Sequence, residues 1–328
     1  MPDVRRLDPR DLTTFLQAEA LIIEFEKMLL KYGIRIQPGS ELELLCHYIL
    51  ELEEKRLKKA HANPMEDLRI LFRKSIGLLE LVRIMMRVEA RYGLSQYIPH
   101  LHLLNSASVP QNVPKFSHQG SNKLFELLMG MICLPVGEDV KLDDPNRARG
   151  DNPDILFRHG ERKWGIACKV VNGQSPLTMY ERWEEGIVQI ENSEADVGIV
   201  IFNMKNVIDH DLTWPILNRE AYDAGTEEPF YGSWMNEEPV GGYLQNIGNL
   251  VHTQFEDVNS REMIDRAIAG KKAIPGLMLF LQTTSSIVTN VGPMATTVGV
   301  LSLTPYGSVN QDDFAVLRQM NEVLHNRL

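Results

Sequence analysis

The residues best suited to chemistry lie in one stretch, DNPDILFRHGERKWGIACKVV at positions 151–171. A carboxylate, Asp154, opens a short apolar run, and an ammonium, Lys169, interrupts a longer one. The Gly-containing segment 158–162 between them reads as a hairpin turn, which predicts antiparallel strands over 154–157 and 163–171. With the turn centred at Gly160 and Glu161, Asp154 stands across from Ala167 and diagonal to Lys169, within reach of its long side chain. Alternation puts Ala167 and Lys169 on one face and Ile166, Cys168 and Val170 on the other. A lysine in an apolar strand is costly to bury unless an opposite charge or a substrate phosphate meets it. Asp154 is the expected partner.

Several elements must position this pair. A helix over about 121–134, capped by Ser121, carries Glu126 and an apolar side of Leu124, Leu127, Leu128, Met131 and Ile132. The polar, Pro- and Gly-containing run 137–153 reads as a surface loop. A helix over 183–193 presents Glu185 and Gln189 on one face at i,i+4 spacing, and a strand over 195–202 follows. Upstream, helical periodicity predicts a bundle over residues 1–105. Its helices span 11–32 with Asp11 as cap, about 40–60 with a charged, solvated end, and about 64–92 closed by Gly93. The bundle is a candidate region for docking a protein partner or forming a homo-oligomer. Residues 106–118, with Pro110 and Pro114, read as a linker. Beyond 208, an insertion or lid around 209–258 precedes a helix over 260–269 and strands over 276–282 and 296–303. A closing helix over 311–328 turns Phe314, Leu317, Met320 and Leu324 inward.

Pro153-Asp154, the hairpin and Lys169 in an apolar strand resemble the PD-(D/E)XK nuclease signature, and the α-β-β-α-β order over 119–208 strengthens the resemblance. It implies an α/β fold in which the N-terminal helical bundle is followed by a restriction-endonuclease-like mixed sheet flanked by helices, spanning 119–328. It further implies Asp154 and Glu126 as ligands of Mg²⁺ or Mn²⁺, Lys169 as the group that positions or activates the attacking water, and Gln189 as a contact to phosphate or to the lysine. Cleavage of a phosphodiester needs in-line attack by water and stabilisation of charge on the phosphate and leaving oxygen, which carboxylate-held metal ions supply. The departure is Ala167, where the resemblance requires a second acid two residues before the lysine. The acid has migrated to the next helix, where Glu181, Glu184 and Glu185 are available and Glu185 is favoured, or the site is degenerate, or the alanine is an inactivating substitution. Each residue also has a purely structural reading: Asp154 as a turn cap, Lys169 reaching out from a strand edge, Glu126 as a solvated helix residue, Gln189 and Glu185 as helix-face residues.

Composition limits these readings. The net charge of −10 runs against tight, unaided binding of nucleic acid, which favours a basic surface. Cys46, Cys133 and Cys168 are scattered and lack CxxC spacing, which predicts reduced thiols in a cytoplasmic protein and no structural zinc site. Residues 1–6 are too polar for a signal peptide, and no run of about 18 apolar residues suggests a membrane span. Asp209, His210 and Asp211 read as a strand-end loop rather than a metal site. Lys271 and Lys272 read equally as a helix C-terminus or a phosphate contact. Phosphate-loop, Gly-x-Ser-x-Gly and HExxH motifs are absent. The expected function is therefore a metal-dependent nuclease acting on DNA, with defence against foreign DNA as its setting. The alternative is a catalytically inactive nuclease-like scaffold that binds a protein partner or nucleic acid.

Overall fold

The computed structural model describes residues 15–58, 67–114, 119–146, 152–173, 175–290 and 292–325. The first three helices follow their apolar stripes: α1 (Phe15–Lys31), α2 (Glu41–Lys58) and α3 (Arg69–Tyr92). Ser40 caps α2, its Oγ accepting from the Glu43 amide at 3.0 Å, while Glu43 Oε2 reaches past the cap to accept from the Gly39 amide at 2.6 Å. Gly93, at φ 72°, closes α3. Asp11 and the side chains of the charged run 52–59 lie outside the described residues.

A short helix α4 (Ile98–His102) leads into residues 107–113, all of which are buried, so this part is not an exposed linker. Val109 and Val113 enter the interior, while Gln111 accepts from Asn203 Nδ2 at 2.9 Å and Asn112 Nδ2 donates to the Arg73 carbonyl at 2.7 Å. Apolar side chains and the hydrogen bonds of Gln111 and Asn112 Nδ2 let a loop-like sequence be buried, although Ser108 Oγ and Asn112 Oδ1 are left without a partner.

The remaining elements are α5 (Gln119–Cys133), β1 (Glu138–Leu142), β2 (Ile155–His159), β3 (Arg162–Val170), α6 (Pro176–Asn192), β4 (Val197–Asn203), α7 (Arg219–Asp223), α8 (Glu238–Val258), α9 (Arg261–Ile268), β5 (Gly276–Thr289), β6 (Gly292–Pro305) and α10 (Gln311–His325). Six strands form one mixed sheet in the order β1-β2-β3-β4-β5-β6. The β3–β4 and β4–β5 pairs are parallel and the other neighbours are antiparallel. The protein is thus α/β, with N-terminal helices followed by a mixed sheet and flanking helices.

One hydrophobic core joins α1, α2, α3, α5 and α10 to one face of the sheet, through residues such as Phe25, Val82, Phe125, Ile166 and Phe280. The N-terminal helices therefore share a core with the sheet rather than keeping one of their own. A second core packs α6, α8 and α9 on the opposite face, around Trp183, Val200, Phe202 and Phe255.

Several expectations shift. Part of the presumed surface loop 137–153 is strand β1, whose alternating Val140 and Leu142 face α5. Ser121 sits inside α5 rather than capping it, and its Oγ accepts from Lys205 Nζ at 2.7 Å. The last 21 residues of the presumed insertion are the long helix α8. The irregular part is fixed to α3 by two buried arginines: Arg73 Nη1 donates to Asp211 Oδ1 at 2.7 Å and Arg69 Nη1 to the Trp214 carbonyl at 2.6 Å. In α10, Leu317 and Met320 are buried, but Phe314 is half exposed.

Candidate active site

The β2–β3 hairpin forms with the expected register. His159 pairs with Arg162, leaving Gly160 and Glu161 as a two-residue turn, with Gly160 at φ 61° as a tight hairpin requires. Because Ile155 pairs with Ile166, Asp154 lies just before the ladder begins, opposite Ala167. Its Oδ2 accepts from the Cys168 amide at 2.7 Å, which holds the carboxylate between the strand ends.

Glu126 reaches the same place from α5. Between it and Asp154 lies a residue that sequence reasoning missed, Lys123. Its ammonium donates to Glu126 Oε2 at 2.7 Å and to Asp154 Oδ1 at 3.4 Å. All three side chains are nearly buried. Burial works against the Lys123 charge, but the two carboxylates overcome it and raise its pKa above that of an ordinary lysine. Burial and then the Asp154 charge push the Glu126 carboxyl well above the usual range, with Lys123 opposing. One ammonium thus serves two acids, and burial keeps the Glu126 carboxyl from giving up its proton readily. The available signal was a lone lysine three residues before Glu126, at the head of the helix's apolar run.

Lys169 does not bond Asp154. Its Nζ donates to Gln189 Oε1 at 2.8 Å and lies 4.0 Å from Glu185 Oε2, so α6 supplies both near neighbours. Burial lowers the Lys169 pKa, and the charges of Asp154 and Glu185 offset part of that. The helix starts where Ser175 caps it, its Oγ accepting from the Thr178 amide, and Pro176 follows at the first helical position. Glu185 is half exposed and also accepts two hydrogen bonds from Arg182, at 2.8 and 3.0 Å. Glu184 accepts from Tyr180 Oη at 3.0 Å and so belongs to a different contact. Beside the site, an open groove of about 750 Å³ runs along α6 between Glu181, Glu185, Gln189, Arg266 and Lys271.

Ala167 has a structural cause. It is fully buried, and a Cβ built on Gly186 would come within 3.3 Å of the Ala167 Cβ and 2.7 Å of Val200 Cγ2. Here α6 makes its closest approach to β3 and β4, and that approach demands small residues on both sides. A side chain of glutamate size at 167 would meet the helix backbone.

Two other candidates resolve as structure. His210 is buried, its Nε2 at 2.9 Å from the Lys205 carbonyl and its Nδ1 at 2.8 Å from Thr283 Oγ1, and Asp211 pairs with the two arginines. Lys272 Nζ donates to the carbonyls of Glu191 and Ser193 at the end of α6. Among the described residues no group of three or more His, Cys, Asp or Glu side chains is arranged to hold a metal ion. No described helix is long and apolar enough to cross a membrane.

Comparison of the chain with protein-family models, with curated proteins and with solved structures finds no match.

Proposed function

We propose that this chain is a metal-dependent nuclease that hydrolyses phosphodiester bonds in nucleic acid, with DNA as the substrate class and a cytoplasmic setting. The observation that carries the reading is a pair of charged clusters flanking the ends of β2 and β3: Glu126 and Asp154 with Lys123 on the α5 side, and Lys169 with Gln189 and Glu185 on the α6 side, the Asp154 charge acting on Lys169 across the strand end. Any one of these has a structural use. Two buried carboxylates beside a partly buried lysine are an arrangement common at functional sites, although here Lys123 offsets part of its cost.

The donor set suits Mg²⁺ or Mn²⁺, which bind through one or two carboxylates with the remaining positions left to water or phosphate oxygens. Glu126 and Asp154 would hold the ion, provided that the Lys123 ammonium yields its place between them. A bound ion would supply charge neutralisation at the phosphate and a more acidic water. The Cys168 amide fixes Asp154 in orientation. Lys169, with its pKa lowered by burial and its ammonium steered by Gln189, orients the attacking water or neutralises phosphate charge. Glu185 is the acid nearest that lysine, consistent with migration of the second carboxylate to α6. Its bond to Arg182 must loosen if it is to serve there.

A second reading is favoured by one observation. Lys123 neutralises the Glu126–Asp154 pair internally, as expected of an inactive scaffold that binds a protein partner or nucleic acid through its helical or sheet surfaces. Cleavage of plasmid, single-stranded DNA and RNA, with Mg²⁺, Mn²⁺ or EDTA, separates the two. The nuclease reading expects metal-dependent cleavage that falls by about 10²-fold or more in Asp154→Ala and Lys169→Ala. Glu185→Ala then tests the migrated acid. No cleavage of any substrate with either metal overturns the nuclease in favour of the scaffold.

A further inference from the structure

We infer that Lys123 is a built-in stand-in cation, whose ammonium and a divalent metal ion compete for the same oxygens of Glu126 and Asp154. The inference rests on the metal-site reading above and adds a residue that the nuclease resemblance does not contain. Three observations carry it. First, the Lys123 ammonium is the direct neighbour of both carboxylates, at 2.7 Å from Glu126 Oε2 and 3.4 Å from Asp154 Oδ1. Second, the lysine is itself buried, at 8% exposure, beside Glu126 at 4% and Asp154 at 8%, so bulk water does not screen the triad. Third, the other strong donor on Asp154, the Cys168 amide, takes Oδ2 and leaves Oδ1 to the cation.

Two buried carboxylates this close repel each other when both are ionised, and a cation in contact with both relieves that repulsion. In the absence of metal, Lys123 fills that role and keeps the acids aligned. A divalent ion carries twice its charge and gains the same oxygens, but it must first displace the ammonium, whose stem is anchored in α5 one helical turn before Glu126. Metal binding is therefore weakened by the lysine, and the apo site is held in a binding-ready arrangement by the same group. Lys123 is a positioning residue, acting through Glu126 and Asp154.

The test is the affinity of the full chain for Mn²⁺ alone, read from the electron paramagnetic resonance signal of free Mn²⁺, in wild type, Lys123→Met, Lys123→Arg and Lys123→Met/Glu126→Gln. Lys123→Met is expected to bind Mn²⁺ more tightly than wild type by about tenfold or more, the scale on which one contacting charge shifts a carboxylate site. Lys123→Arg should stay at least as weak as wild type, and the double variant should lose the gain, which locates the ion on Glu126. Equal or weaker binding by Lys123→Met overturns the inference. If Lys123→Met does not fold alone, refolding with Mn²⁺ replaces the titration: recovery of the native thermal transition supports the stand-in role, and no recovery overturns it. Tighter binding without cleavage of any nucleic acid would leave the inference standing and sink the nuclease reading, whereas metal-dependent cleavage without tighter binding would do the reverse.

Discussion

Replacing Gly186 by alanine should destabilise the protein, although alanine is the better helix former. Two effects oppose each other at this position in α6. Removing a glycine from a helix interior gains about 1 kcal/mol from propensity. The added methyl, however, would stand 2.7 and 2.9 Å from the two Cγ atoms of Val200 and 3.3 Å from the Ala167 Cβ. Val200 and Ala167 lie in the sheet, essentially without exposure, and a β-branched side chain has no spare rotamer there. Overpacking of such a site costs about 1–3 kcal/mol, and two contacts below 3 Å argue for the upper part of that range. The expected balance is a net loss of about 1–2 kcal/mol. Gly242 in α8 is the internal control, since a Cβ there meets nothing within 4 Å. Gly242→Ala should gain about 0.5–1 kcal/mol. Urea unfolding at constant slope reads both variants, so the shift in midpoint reports stability directly. A Gly186→Ala variant as stable as Gly242→Ala would refute the reasoning, because it would mean that α6 does not sit against the sheet at Ala167. The same variant carries a functional corollary. Pushing α6 outward separates Gln189 from Lys169, so any cleavage activity should fall along with stability.

Acid should weaken the fold through three buried histidines. Burial lowers His100, His210 and His252 from 6.5 to about 4. The unfolded chain therefore takes up protons first: stability is complete above about pH 6.5 and is lost as the pH falls towards 4, by at most about 3 kcal/mol per histidine. A urea midpoint that stays flat from about pH 7 to pH 4.5 would exclude this. Removing the carboxylate of Asp211 leaves Arg73 and Arg69 short of an acceptor in the interior. Asp211→Ala should cost about 1–3 kcal/mol, less than a fully buried pair because the carboxylate is half exposed and Asp67 and two carbonyls remain. A loss below about 0.5 kcal/mol in thermal or urea unfolding would show that the clamp between α3 and residues 210–214 contributes nothing.

Local chemistry determined much of this protein. Period-two alternation on either side of Gly160 and Glu161 was sufficient for the β2–β3 hairpin and its register, because a two-residue turn leaves one pairing that keeps apolar side chains on one face. Helical patterning was likewise sufficient for α1, α3, α5 and α9, whereas α6 begins at Pro176, seven residues before the start expected from sequence. Tertiary structure decided what surrounds each charge. Position in the sequence puts Asp154 near Lys169, yet Asp154 is claimed by the Cys168 amide and Lys123, while Lys169 turns to Gln189 and Glu185. Lys123 is three residues from Glu126 in the chain, but its 31-residue separation from Asp154 is bridged only when α5 docks on the sheet. The alanine at 167 reads in sequence as a missing acid. In three dimensions it is also the floor beneath Gly186, where helix and sheet approach too closely for anything larger. Periodicity reports which side of an element faces the interior. Which charge meets which, and how much room a side chain has, depends on elements far apart in the chain, and packing alone brings those together.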